Sequence, residues 1–251
     1  MNYYQLYQTC RALGSDISYM QFLYYAFLAI KMIEKIDIIE EYIRENVGFE
    51  IEVNCFEQLQ AKFLNELITI NRIKLLNGIY KKYVGLFKKL PLDKPKDCLK
   101  VGIVGELYTL MEPYSNYYIE KELAKNKIQV SRFITVSFLL FEKPKLQKRI
   151  LKEAGGYLKF DIGADGTDSV AKSRMLAEKG YDGIIHLKPF GCTPEVNAMP
   201  VLQNIAKDYK IPILYFSFDS QTSETGIKTR LEAFYDMLSM RKGKLNCVQD
   251  F

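Results

Sequence analysis

The chain has 251 residues, 48% of them hydrophobic, enough to bury one or two cores. Its 35 basic residues are interspersed with 30 acidic ones for a net charge of +5, which gives no case for a nucleic-acid partner. A single His and five irregularly spaced cysteines (Cys10, Cys55, Cys98, Cys192, Cys247) exclude a zinc finger or a self-contained cysteine site. The odd thiol count without a leader-like segment points to a reducing cytoplasm rather than a disulfide framework. Phe22 to Ile30 is uncharged but falls short of the ~18 residues a membrane span requires, so it is expected to be a buried helix.

In chain order, residues 17–46 and 56–88 read as helices. Phe22, Ala26, Ala29, Ile30 and Ile33 recur at three-to-four spacing in the first, and Phe63, Leu67, Ile70, Leu75 and Ile79 do so in the second. Gly48 and the β-branched piece at 51–53 connect them. Lysines 88, 89, 94, 96 and 100 around Pro91 and Pro95 then punctuate the chain, which predicts an α-helical region at 1–97 and a separate domain at 98–251. From there short apolar strands (99–104, 128–135, 183–187, 211–217) alternate with helices (115–125, 141–154, 167–179, 196–208, 224–240). This is the pattern of a four-stranded parallel, Rossmann-like α/β sheet with helices on both faces.

In such a sheet every strand ends on one rim, where ligands bind. The rim loops hold Glu106, Glu112 and Asn116 after the first strand, Cys192 and Glu195 after the third, and Asp219, Gln221, Thr222 and Glu224 after the fourth, and they are expected to converge. Cys192 closes the run HLKPFGC at a helix start, where a thiolate is electrostatically favoured; pattern alone leaves function and packing equally open for it. The other four cysteines are read as incidental or buried thiols. His186 reads as a satisfied histidine at a strand end, since no Ser or Asp partner is suggested nearby. DIGADGTD at 161–168 resembles a calcium loop but lacks the terminal Glu, and a turn with a helix N-cap explains it more simply. Neither a P-loop nor a dinucleotide fingerprint occurs.

Three motifs in order, VGIVGELYTLMEPYSN at 101–116, YDGIIHLKPFGCTPE at 181–195 and IPILYFSFDSQTSETGIKTRLEAF at 211–234, make residues 101–237 resemble the second α/β domain of the 2-hydroxyacyl-CoA dehydratase family. The likeness is strongest to its branch associated with CoA-enzyme activases, and with the two preceding helices it covers residues 16–240. It implies a bacterial, cytoplasmic component of a system that uses a low-potential [4Fe–4S] iron–sulfur cluster, with Cys192 falling on the family's ligand cysteine. The family's other ligand cysteines lie in a domain ahead of the helices, where this chain has only residues 1–15 with Cys10. One thiol does not hold a cluster, so the remaining ligands are expected from outside this chain. Asp219, Gln221, Thr222, Gly226, Arg230 and Glu232 match the family pattern, whereas Ala164 and Asp165 stand where relatives tend to carry Gly and His.

These readings lead to two expectations. The first is a dehydratase-related component in which Cys192 binds metal, Glu106, Glu112 and Glu195 are catalytic, and Asn116, Asp219, Gln221 and Thr222 bind cofactor. The second is a non-catalytic docking module that has lost the cluster and binds an activase or a cluster-bearing protein. Beside these stands a small-molecule or CoA-binding domain in which Lys88, Lys89, Lys94 and Lys96 neutralise phosphates; homo-oligomerisation and an acyl-CoA ligand are also expected, and a membrane is not.

Overall fold

Asn2 accepts from the backbone N–H groups of Tyr4 and Gln5 and starts a helix that sequence reading left unassigned, α1 (Tyr3–Ala12). The computed structural model describes the backbone of residues 2–249 and their side chains except at 144, 145, 147 and 244–249; Cys247 therefore lies outside the described side chains. Contacts divide the chain into two compact units, Met1–Glu40 with Glu52–Pro91, and Glu41–Ile51 with Leu92–Phe251. α2 (Tyr19–Asn46) begins in the first and ends in the second.

In the first unit the helix expected over 56–88 is two, α3 (Cys55–Ile68) and α4 (Ile73–Phe87). The periodicity continues through Ile70, but Ile70 N–H bonds Leu67 O in a tight turn and the chain folds back. The hairpin then closes on aromatic contacts, Phe56 with Phe87 and Phe63 with Tyr83, and Glu66 accepts from Lys82 and Tyr83 at 2.6 and 2.8 Å. Tyr7 packs on Tyr19 at 5.1 Å between centroids, which fastens α1 to the start of α2.

The second unit is built on four parallel strands, β1 (Lys100–Gly105), β2 (Gln129–Arg132), β3 (Gly183–Pro189) and β4 (Ile213–Phe218), in the order β2-β1-β3-β4. The fold class is the one the alternating pattern implies. β2 is shorter than expected, because pairing with β1 ends at Ile103 with Arg132. One face is covered by α5 (Leu107–Met111), α6 (Ile119–Lys125) and α10 (Glu224–Gln249), whose Leu110, Leu123, Ile227 and Leu231 pack on Val101, Ile185 and Phe216. The other is covered by α7 (Lys143–Glu153), entered through a π-turn at Phe138–Glu142, by α8 (Gly166–Glu178) and by α9 (Thr193–Asp208). Helices on both faces explain why β1 and β3 are buried at nearly every position rather than at alternate ones.

Two glycines let the rim close. A Cβ on Gly105, which has φ +143°, would lie 1.8 Å from Leu187 O, and one on Gly166 would lie 2.6 Å from Pro194 O. Lys94, expected to neutralise phosphates, instead donates to Glu45 O and Asn46 Oδ1 and lies 5.1 Å over the Phe49 ring; burial lowers its pKa. It is a structural strut. Among the described residues no helix is long and apolar enough to cross a membrane.

Candidate functional site

β1 leads to β2 on one side while β3 and β4 lie on the other, so strand order reverses between β1 and β3. This is where a parallel sheet opens a crevice at its carboxyl rim. Residues Glu106 and Cys192 follow those two strands. Glu106 caps α5: its carboxylate accepts from Tyr108 N–H at 2.9 Å, Thr109 N–H at 2.9 Å and Thr109 Oγ1 at 2.7 Å. Asp165, at the start of α8, accepts from Leu107 N–H at 3.1 Å and from Lys143 Nζ at 2.7 Å. Gly166 brings α8 against Pro194, so the starts of α5, α8 and α9 meet around Cys192.

Cys192 is half-buried and is the N-cap residue of α9. The expectation of a favoured thiolate fails. Burial pushes the thiol pKa up, and the carboxylates of Glu195, Glu106 and Asp165 push it further, against an opposing backbone N–H of Glu195. A helix start favours an anion only where no anions already occupy it.

Glu195 does not line the crevice as expected: it is completely buried, accepting from Ser169 Oγ at 3.0 Å and pairing with His186 Nε2 at 2.7 Å. His186 sits not at a strand end but mid-way along an inner strand, fully buried beside the Tyr215 ring, with Nδ1 unpartnered. It is satisfied on one nitrogen by a Glu nine residues on, across the β3–α9 turn, a partner that a search for Ser or Asp missed. Further along the same face Lys188 is 5% exposed, and its ammonium donates to Phe190 O at 3.2 Å and Ser217 Oγ at 3.0 Å, neutral acceptors only. Sequence reading passed over Lys188, although a lysine inside the apolar run GIIHLKP was the available signal.

The rim loops hold two sets of contacts, and Phe190 N–H bonds Phe218 O at 2.9 Å between the ends of β3 and β4. Glu106, Asp165, Cys192 and Glu195 form the first. In the second, Tyr117 OH donates to Thr222 O at 2.8 Å and Tyr117 stacks on Phe218, which joins the turn holding Glu112 and Asn116 to the end of β4. Asn116, expected to bind cofactor, is buried and braces this turn by donating to Thr109 O at 2.7 Å and accepting from Ile119 N–H at 3.2 Å. Glu112 accepts from Tyr114 N–H. Asp219 Oδ1 accepts from Gln221 N–H at 2.9 Å and Thr222 Oγ1 at 3.0 Å, a local turn in which Gln221 is exposed. Arg230, matched above, donates to Tyr215 O and lies 4.5 Å over Phe216.

The DIGADGTD loop is held by its own bonds. Asp161 Oδ1 accepts from Gly163 N–H and Thr167 Oγ1, and Lys143 bridges Asp165 and Asp168 at 2.7 Å each. Lys143 holds its proton more strongly than a free lysine: burial opposes this, and the two carboxylates outweigh it. The turn is present at Asp161–Gly163, but Asp165, the N-cap residue of α8, makes no side-chain cap bond and spends its carboxylate on Leu107 and Lys143 instead.

Residues 170–238, from α8 to α10, match the family model described as 2-hydroxyglutaryl-CoA dehydratase, D-component. The resemblance to the 2-hydroxyacyl-CoA dehydratase family holds there. That dehydratase-family segment contains β3, the Cys192 turn, α9 and β4, and therefore half of the switch-point crevice. No curated protein matches the chain.

The family implies an iron–sulfur cluster, and the residues present do not fit one. Among the described residues no three His, Cys, Asp or Glu side chains gather to hold a metal ion. Within the second unit, Cys98 is buried just before β1 and Cys192 follows β3, opposite ends of a parallel pair whose five-residue advance is about 16 Å. A thiol whose pKa is raised by burial and neighbouring carboxylates is also a poor start for thiolate ligation.

Proposed function

We propose that the chain is a dehydratase-related component that works as an α/β docking module: it carries no cluster of its own and sets its switch-point rim against an activase or a cluster-bearing protein. The observation that carries this reading is the prior commitment of the rim's acids. Glu106 caps a helix and Glu195 is sealed against His186, so both carboxylates already serve the fold, and burial raises the pKa of the thiol beside them. The description of the matched model as one component of a dehydratase supports a protein that acts with others.

The chain, prepared anaerobically and incubated with ferrous iron and sulfide, is then desalted and analysed for both. We expect neither to be retained, and Cys192→Ser to behave identically. Retention of iron and sulfide that is lost in Cys192→Ser overturns the docking reading in favour of a cluster ligated in part by this chain. Glu112, Gln221 and Thr222 then become the rim groups to examine, with acyl-CoA as the ligand.

A further inference from the structure

At the second group of rim loops the turn Glu112–Tyr118, the end of β4 and the start of α10 enclose an open cleft of about 380 Å³, within the range of small-molecule sites. It is lined by Tyr114, Ser115, Tyr117, Tyr118, Phe218, Asp219 and Glu224. Tyr114 is 78% exposed and Tyr118 48%, an aromatic surface that burial alone does not explain. Moreover Tyr117 and Tyr118 both occupy the left-handed region, with φ of 55° and 56°. Two consecutive tyrosines there are strained, and the fold maintains them through the buried Asn116 brace, a Tyr118 N–H bond to Pro113 O at 2.8 Å and the Tyr117 OH bond to Thr222. Tyr118 is left exposed, while Tyr117 stacks on Phe218 at the edge of the core.

We infer that this cleft binds an organic cation of the alkylated-ammonium class. Ring faces are electronegative and attract a cation stripped of strong hydration, and a nearby carboxylate adds to the attraction. Glu224 is already neutralised by Lys228 at 2.7 Å, so the net charge comes from Asp219. Asp219 spends Oδ1 on its own turn, and Oδ2 has no partner among the described residues. Two exposed rings, Tyr114 and Tyr118, beside the stacked Tyr117–Phe218 pair and the Asp219 carboxylate suit a quaternary ammonium better than an anion or a neutral sugar. The site is separate from the Cys192 rim and does not depend on the docking proposal.

The probe is choline, titrated into the full chain while tyrosine ring resonances are followed by NMR, with its neutral isostere 3,3-dimethylbutan-1-ol in parallel. Choline is expected to bind with a dissociation constant on the order of millimolar and to shift Tyr114 and Tyr118 signals. The isostere should bind at least about tenfold more weakly. Asp219→Asn keeps the Oδ1 acceptor of the turn and Tyr118→Gly accepts the left-handed backbone, so both variants fold while losing the charge or the ring. Each should weaken choline by about tenfold. Equal affinity for the isostere, unchanged affinity in both variants, or absence of any ring shift with choline overturns the inference.

Discussion

Replacing Glu195 separates its role in the fold from any role in chemistry. The carboxylate is fully buried and links three elements, α9 through its own backbone, β3 through His186 and α8 through Ser169. Glu195→Ala strips His186 of its remaining partner, since Nδ1 has none, and leaves Ser169 Oγ without its acceptor. Loss of one member of a buried, bonded pair costs about 3–5 kcal/mol. Glu195→Gln preserves the shape and one acceptor and should cost about 1–2 kcal/mol. The double variant His186→Phe, Glu195→Met removes both members of the pair and should recover part of the alanine loss, because only Ser169 Oγ is then left without its acceptor. Urea unfolding followed by circular dichroism ranks the three. An alanine variant within about 1 kcal/mol of the native chain, or a double variant as unstable as the sum of its parts, refutes the reasoning.

Other perturbations have equally definite outcomes. Gly105→Ala places a methyl against Leu187 O at a positive φ, and a loss of about 3 kcal/mol or more is expected in the same unfolding assay. Lys143→Met leaves Asp165 and the buried Asp168 without their shared cation and should lower stability by about 3 kcal/mol, read as a lower Tm. Glu106→Gln retains an acceptor for the α5 cap but removes a charge that raises the Cys192 pKa, so the thiol should alkylate faster near neutral pH by mass spectrometry. Lys94→Ala should destabilise the chain by roughly 1–2 kcal/mol in the unfolding assay, through loss of two bonds and a ring contact.

The parallel sheet was legible because buried strands leave continuous apolar runs, GIIHL and ILYF, between helix-length intervals. The break between α3 and α4 was not, since Ile70 sustains the helical period and only the aromatic contacts across the hairpin reveal the reversal. Sequence order placed Glu106 and Cys192 on one rim. It gave no view of strand order or of which rim side chains bond to one another. Charge was the hardest property to read. Cys192 at a helix start suggests a thiolate, and only three-dimensional packing brings Asp165 and Glu106 beside it.

The account depends most on the state of that sulfur. Alkylation of the Cys192 peptide by iodoacetamide, quantified by mass spectrometry from pH 6 to pH 11, gives its titration directly. Burial and three neighbouring carboxylates raise the thiol pKa, so the thiolate is scarce at neutral pH and the reactive form should emerge only above the ordinary thiol value of 9.0. A midpoint well below that value, near neutral pH, would show a thiolate poised for ligation and would contradict the reading of this rim as a docking surface without its own cluster.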